Sequence, residues 1–310
     1  MIYTVTLNPA FDKTVEIPSL TVGAVNRITD MRTDPGGKGI NVSKVIRELG
    51  GESTAVGILG GRTGRMIQDA LEAMEIKTGF RFSEGETRTN LKVIDPVNHT
   101  NTDINEPGCS VPEEVLNGLL GDLRGELKKG DIVVLSGSLP KGAPKDTYGV
   151  WVRTCKECGA RVFLDVDGEL LAAGIREKPY LIKPNDNELS VLTGKKLYTP
   201  EELNREARAL MESHGIAKAV VSMGERGALY LTERETIYAE GLRVPVKSTV
   251  GAGDSMVAAL AVSEESGRSL EETVRLCTAC GAANVMCSGT QAAKYDVISG
   301  LMSEVAFHRL

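Results

Sequence analysis

The sequence predicts an α/β chain: a mostly parallel central sheet with helices on both faces, and a small second sheet. Three observations carry this expectation. Short β-branched and aliphatic runs alternate with longer amphipathic ones along most of the chain. The short runs are apolar throughout, the pattern of strands buried on both faces. They end in Gly, Asp, Pro or Ser, and in open α/β sheets ligands bind outside those carboxyl ends.

Taken in order, Ile2–Leu7 reads as the first strand. Ile40–Leu49 has apolar residues at helical spacing, and Gly50 supplies its stop. Thr54–Ile58 reads as a strand and Met66–Met74 as a helix. Helices are expected at Pro112–Lys129, Lys145–Cys158 and Glu201–His214. Alternating with them are the strands Asp131–Leu135, Arg161–Asp165, Tyr180–Lys183 and Ala219–Ser222. A short helix covers Glu188–Leu192, and an apolar one Met256–Val262. Two segments, about 12–32 and 87–106, alternate polar and apolar residues instead, as in Lys13-Thr14-Val15-Glu16-Ile17 and Asn90-Leu91-Lys92-Val93-Ile94-Asp95. Pro96-Val97-Asn98 is a turn signal inside the second. These segments predict antiparallel strands of a small sheet projecting from a single unit that spans residues 1–310.

Composition excludes several functions. With 310 residues, 41% of them hydrophobic, the chain can bury a large core. A net charge of -6 and the lack of a dense Lys/Arg run speak against a duplex-binding face. Aromatic residues at 4% leave no stacking platform for single strands, so no nucleic-acid partner is expected. The longest apolar stretches fall far short of the roughly 20 residues of a spanning helix. The N-terminus enters a strand without a basic region, so a cytoplasmic protein with no membrane partner is expected. Cys155/Cys158 and Cys277/Cys280 have CxxC spacing but lie far apart in the chain, and with Cys109 and Cys287 they read as small buried hydrophobes. The three histidines, His99, His214 and His308, stand beside none of the motifs below, which disfavours Ser–His–Asp hydrolysis and His-based zinc chemistry.

The most informative segment is Val246 to Met256, where a strand ends, Gly251-Ala252-Gly253 turns, and a helix begins at Met256. Unpaired N–H groups at such a helix start favour an anion, and glycines let it approach the backbone. Charge that develops during phosphoryl transfer would be stabilised there. A lone Asp at that point is most often a helix cap. The flanking glycines favour reading Asp254 as a general base for an attacking hydroxyl. The segment is not a dinucleotide fingerprint, because Met256 stands where the third Gly belongs. Gly36-Gly37-Lys38-Gly39 and Gly194-Lys195-Lys196 both lack the Ser/Thr of a P-loop.

Four further segments end strands or open helices. Gly37, Lys38 and Asn41 sit in a glycine-rich helix start suited to a polar ligand. Asn185 and Glu188, three apart after Lys183-Pro184, fit either a capping box or a Mg²⁺ site that keeps most of its waters. Ser222, Gly224 and Gly227 fit a tight turn or a nucleotide contact, and Ser136-Gly137-Ser138 places hydroxyls for a sugar.

Together these segments resemble the ribokinase-like (PfkB-type) carbohydrate kinase family, over nearly the whole chain from Thr6-Leu7-Asn8-Pro9-Ala10-Phe11-Asp12 to Cys287-Ser288-Gly289-Thr290. Gly-Gly-Lys-Gly-Ile-Asn-Val at 36–42 and Gly-Ala-Gly-Asp-Ser at 251–255 are specific in combination. Residues 6–12 and 85–90 resemble the branch acting on hexose phosphates. Residues 102–108 are similar to bacterial members acting on fructose 1-phosphate, and less so to those acting on tagatose 6-phosphate. The resemblance implies a three-layer α/β/α sandwich with a β-sheet lid, and a homodimer joined through the lids. It implies ATP-dependent phosphorylation of D-fructose 1-phosphate at O6, with tagatose 6-phosphate or fructose 6-phosphate as alternative acceptors. A non-catalytic sugar-phosphate sensor and a nucleotide-binding structural subunit are the alternatives from other classes.

The resemblance also implies roles. Asp254 would be the base, and Gly251, Ala252 and Gly253 the anion hole. Asp12, Gly37, Lys38 and Asn41 would hold the sugar, while Lys38, Arg88 and Asn90, with Ser138, would hold its phosphate. Arg27 from a partner's lid is a further candidate. Lys183, Asn185, Ser222, Gly224, Gly227 and Asn284 would line the ATP side. Asn185 and Glu188 would hold Mg²⁺ largely through water. Ser248, Val250 and Gly289, with Asn284 and Cys287 nearby, would occupy the stretch that holds a monovalent cation, K⁺, in many members.

Overall fold

The computed structural model describes all 310 residues. In chain order its strands are β1 (Ile2–Thr6), β2 (Ala10–Glu16), β3 (Asp30–Gly36), β4 (Ser53–Gly60), β5 (Lys77–Ser83), β6 (Arg88–Asp95), β7 (Thr100–Asn105), β8 (Ile132–Ser136), β9 (Arg161–Asp165), β10 (Leu181–Ile182), β11 (Lys218–Ser222), β12 (Ala228–Thr232), β13 (Thr236–Ala239) and β14 (Phe307–Arg309). The helices are α1 (Lys38–Glu48), α2 (Gly61–Ala73), α3 (Glu113–Glu126), α4 (Thr147–Glu157), α5 (Gly168–Ile175), α6 (Asp186–Thr193), α7 (Pro200–His214), α8 (Ala252–Ser266), α9 (Leu270–Val285) and α10 (Tyr295–Met302).

Ten strands form the main sheet, in the order β14-β13-β12-β11-β10-β9-β8-β1-β4-β5. From β5 to β11 every pairing is parallel, and the edge from β11 to β14 is antiparallel. The continuous apolar runs of the sequence are the parallel strands, buried on both faces. Within β1, Tyr3 and Val5 belong to one core with Trp151 and Leu203, and Ile2 to the other with Val257 and Cys277. The first core is closed by α3, α4 and α7, the second by α1, α8 and α9, which makes three layers. Cys155, Cys277 and Cys280 are fully buried in these cores, where desolvation pushes all three thiols well up. No helix is long and apolar enough to cross a membrane.

The strand order reverses at β1: the chain adds β4 and β5 on one side, then β8 and its successors on the other. The crevice outside the carboxyl ends of β1 and β8 is therefore the place where this topology presents a ligand site.

The small sheet has the order β3-β2-β6-β7. The expectation of an all-antiparallel sheet is corrected here. The two hairpins β2/β3 and β6/β7 are antiparallel, but β2 and β6 pair in parallel. Both leave the body in the same direction, because an excursion through α1, β4, α2 and β5 separates them. Several other elements differ from expectation. β5 is a half-exposed edge strand, and the antiparallel β12–β14 edge was not anticipated. Helices α1, α2 and α8 begin two to five residues earlier than the apolar pattern suggests. Their first turns are Lys38-Gly39, Gly61-Arg62-Thr63-Gly64 and Ala252-Gly253-Asp254, which carry no apolar signal.

Gly57 faces Thr6 across the β1/β4 pair, and a Cβ there would fall on the Thr6 carbonyl oxygen. Gly121 in α3 has open space around its Cα. Gly57→Ala should cost about 2 kcal/mol or more through backbone overlap, and Gly121→Ala should stabilise by up to about 1 kcal/mol. Urea unfolding at constant m-value reads both; a neutral Gly57→Ala would contradict the packing described.

Candidate active site

A cleft of about 550 Å³ opens between the carboxyl ends of the main-sheet strands and the small sheet, and its lining is almost wholly polar. Its floor is the start of α8. Gly251 caps that helix in the left-handed region (φ 85°), so the turn reverses directly into Ala252. Asp254 lies in the first helical turn, buried, and its Oδ2 accepts a hydrogen bond of 2.8 Å from Asn41 Nδ2. The other carboxylate oxygen has no protein partner, and the residue lines the cleft. Asn41 reaches it because α1 packs close to β1. Gly39 leaves room for Thr6, whose hydroxyl accepts from the Ile40 N–H at 3.0 Å.

Opposite Asp254 stands a charge cluster of Lys38, Lys183 and Asp165, of which only Asp165 was not anticipated. Asp165 ends β9 and is buried; its Oδ1 lies 3.2 Å from Lys183 Nζ and its Oδ2 3.7 Å from Lys38 Nζ. Burial pushes the Asp165 carboxyl up, but the two lysines outweigh it and hold it below its ordinary value. Burial lowers Lys38, and the carboxylates of Asp165 and Asp254 more than offset that, leaving it raised. Asp254 is pushed up to about 6, first by desolvation and then by Asp165, with Lys38, Asn41 and Lys183 pulling the other way. A Cβ on Gly253 would come within 3.1 Å of Lys183 Nζ, so that ammonium stands directly over the helix start.

The small sheet supplies the other wall. Asp12 accepts from Asn90 Nδ2 at 3.0 Å across the parallel β2/β6 pair, and Gly36 leaves room for its carboxylate. Burial raises Asp12, partly countered by Asn90. Ser138 lines the cleft and is held by Asn8 Nδ2 at 3.2 Å. Arg88 also lines it, yet its guanidinium donates to three backbone carbonyls, those of Asn8 (3.0 Å), Glu106 (3.1 Å) and Pro9 (3.4 Å). It therefore braces the small sheet as well as facing the cleft. Lys13, Lys92, Asp103, Asn105 and Asp167 complete the wall and were not anticipated. The first four lie in the alternating strands β2, β6 and β7, where they look like a solvated face, whereas Asp167 stands just ahead of α5 on the main-sheet side.

A second cavity, about 500 Å³ and largely apolar, adjoins across Ser222 and Gly253. Gly224, Gly227, Tyr230, Val246 and Met256 line it. Asn185 and Glu188 form a complete capping box on α6: Glu188 N–H donates to Asn185 Oδ1 at 2.8 Å, and Asn185 N–H to Glu188 Oε2 at 2.9 Å. Both also line the first cleft, and the second Glu188 oxygen makes no hydrogen bond. Asn284 lies in neither lining. It is buried behind Gly251 with its Oδ1 unpartnered, next to Gly281, Ala282 and Val285 of the same helix, which line the second cavity. Val250 and Gly289 line the cleft, whereas Ser248 is buried and its hydroxyl accepts from the Val250 N–H. Arg27 is exposed on the small-sheet connection, outside its own chain's cleft.

Residues 5–296 match the model of the pfkB family carbohydrate kinases. The chain belongs to that family. A 1-phosphofructokinase of Bacillus subtilis is 37% identical over 312 residues, covering 100% of both chains. One of Xanthomonas campestris is 39% identical over 281 residues, covering 89% of this chain and 88% of the relative. Among solved structures, phosphofructokinase-2 of Escherichia coli in complex with potassium superposes with a TM-score of 0.93 at 32% identity, covering 98% of each chain. The same protein has been solved with fructose-6-phosphate and in a tetrameric inhibited form. As a PfkB-family member the chain is an ATP-dependent sugar kinase, and its sheet order, flanking helices and small second sheet are those of the ribokinase-like fold.

The raised Asp254 carboxyl has a consequence for this kinase's stability. Its folded value of about 6 exceeds the unfolded value near 3.8, so the folded state binds the proton more tightly. The ionised group therefore opposes folding above pH 6, by on the order of 2–3 kcal/mol, and not below pH 4. Asp254→Asn, which keeps the Asn41 hydrogen bond, should raise Tm by several degrees at pH 8, a gain that fades towards pH 4. A variant less stable than the parent at pH 8 would refute the balance of charges drawn here.

Proposed function

We propose that this kinase transfers the γ-phosphoryl group of ATP to O6 of D-fructose 1-phosphate, giving fructose 1,6-bisphosphate and ADP. The observation that carries the reading is Asp254: a buried acid with one oxygen fixed by Asn41 and the other open to the cleft, in the first turn of a glycine-started helix. The names of the Bacillus and Xanthomonas relatives support the acceptor.

On this reading the sugar lies between Asp12, Asn90, Asn41, Gly37 and Ser138, with Lys38, Arg88 and Lys92 beside its phosphate. Asp254 takes the proton of O6 as that oxygen attacks. The N–H groups of Ala252, Gly253 and Asp254, with Lys183 and Lys38, bear on the charge that spreads over the transferring phosphoryl. The apolar cavity beyond Ser222 takes the base of the nucleotide, with Gly224 and Gly227 at its edge. The small sheet acts as a lid that excludes water, a competing acceptor. On its face opposite Asp12 and Asn90, Val15 and Val93 are covered by Ile17 and Leu20 of the same chain, while Met31 and Ile104 are exposed, and we assign that exposed part to a homodimer that brings Arg27 to the partner's cleft.

The donors fit Mg²⁺ held mostly by water: Glu188 keeps one free oxygen and Asn185 stands beside it. When bound, the ion neutralises phosphate charge and orients the nucleotide. For K⁺ the fit is narrower. The carbonyls of Ser288 and Thr290 already accept from Arg32 and Lys44, and the Ser248 hydroxyl is engaged, so the orphaned Asn284 Oδ1 is the atom that suits a monovalent cation.

An ADP-release assay with fructose 1-phosphate, fructose 6-phosphate and tagatose 6-phosphate side by side tests the acceptor. The highest kcat/KM is expected for fructose 1-phosphate, and a preference for either other sugar overturns that choice. Asp254→Asn should lower kcat by about 10²–10⁴ with the ATP KM little changed. In the parent, kcat should fall about tenfold per unit as pH drops below 6, where the base becomes protonated. A flat profile from pH 5 to 8 removes Asp254 from proton transfer.

A further inference from the structure

Lys44 lies in α1, one turn beyond Asn41, and is 7% exposed. It has no carboxylate within 4 Å; instead its ammonium donates to two backbone carbonyls, Pro35 O and Thr290 O, each at 2.9 Å. The two acceptors come from segments far apart in sequence that meet at Lys44, one in the small sheet and one after α9. Pro35 precedes Gly36 and Gly37 at the root of the small sheet, where Gly36 makes room for Asp12 and Gly37 lines the sugar end. Thr290 follows Gly289, and both line the cleft beside the α8 start. Glycines make both segments conformationally loose, and Lys44 ties both to one point on the helix that carries Asn41.

The choice of a lysine follows from this geometry. A single nitrogen with three donors and no acceptor satisfies two converging carbonyls, which an apolar side chain would leave buried and unpaired. The charged groups around it are Asp12 and Asp34 from the small sheet, Asp254 from α8, and Arg32 from β3. Burial lowers the amine to about 8 against the pull of the three carboxylates, so it remains an ammonium at neutral pH.

We propose that Lys44 is a positioning residue of the phosphoryl-transfer site, fixing the Pro35–Gly37 and Gly289–Thr290 segments against α1 and so setting where the sugar phosphate lies relative to Asp254. The kinetic part of this inference rests on the kinase reading above. It assigns Lys44 an effect on the sugar side and none on the nucleotide side.

The test compares full-length parent, Lys44→Met and Lys44→Arg by steady-state kinetics and amide hydrogen exchange. For Lys44→Met the expected result is a sugar-phosphate KM raised about tenfold and a kcat lowered about tenfold, with the ATP KM within about twofold. Faster exchange is expected in segments 35–39 and 287–291 and not elsewhere. Lys44→Arg keeps the charge but splits the acceptors over two nitrogens, and should fall between. Unchanged sugar constants in Lys44→Met, or equal losses for sugar and ATP, overturn the proposal. If Lys44→Met does not fold, Lys44→Arg decides alone: a raised sugar KM at constant ATP KM supports the role, and parental constants overturn it. A parent inactive on every sugar phosphate would instead sink the kinase reading, and the exchange pattern would still test the tether.

Discussion

The structure turns on keeping a carboxylate ionised where water is scarce. Asp254 is buried at the start of α8, and a charge there is tolerable only because its surroundings compensate it. One oxygen accepts from Asn41, the free N–H groups of the first helical turn present positive partial charge, and Lys38 and Lys183 stand opposite. The lysines cannot approach unopposed either, since two ammonium groups in a cleft repel each other. Asp165, between them at 3.2 and 3.7 Å, resolves that repulsion. It also pushes the Asp254 carboxyl upward. With its value near 6 the acid is still mostly ionised at neutral pH, and it is basic enough to accept a proton from an attacking alcohol.

Each part of that balance comes from a different layer. The switch of strand order at β1 opens the crevice, and Asp165 and Lys183 are delivered to it at or just past the ends of β9 and β10. Gly251 reverses the chain into α8 with its N–H groups facing the crevice. Gly39 lets α1 lie against β1, so that Asn41 meets an acid distant in sequence. None of these residues would reach the others if the two hydrophobic cores did not hold the helices against a rigid parallel sheet. The site is thus a property of the fold's register as much as of its motifs.

What could be read in the sequence divides along physical lines. The parallel strands were legible because burial on both faces leaves an unbroken apolar run. The Gly-Ala-Gly-Asp turn was legible because glycines before an acid have few other uses. The true starts of α1, α2 and α8 were hidden by the glycines that build the site, since propensity and apolar periodicity both fail there. Asp165 was overlooked because a single acid ending a strand has no companion pattern; only its burial against two lysines distinguishes it. Lys13, Lys92, Asp103 and Asn105 sit in alternating strands, where a ligand-facing side and a solvated side have the same composition. Lys44 carries no pattern that separates it from any other helical lysine, and its two carbonyl partners come from segments that sequence spacing does not connect.

Asn185 and Glu188 show why a structural and a functional reading of one pair need not compete. The capping box occupies the Asn185 Oδ1 and one Glu188 oxygen, and those bonds fix both side chains at the start of α6. A carboxylate tethered through one oxygen has already lost most of its rotamer freedom, so presenting its other oxygen to a hydrated cation costs little further entropy. The helix end gains stability from the same bonds that orient the free oxygen toward the cleft. The i,i+3 spacing that favours a cap also puts an amide and a carboxylate side by side at a strand end. On the proposed reading, a short helix at the mouth of a parallel sheet would therefore serve the fold and hold a metal with the same two residues.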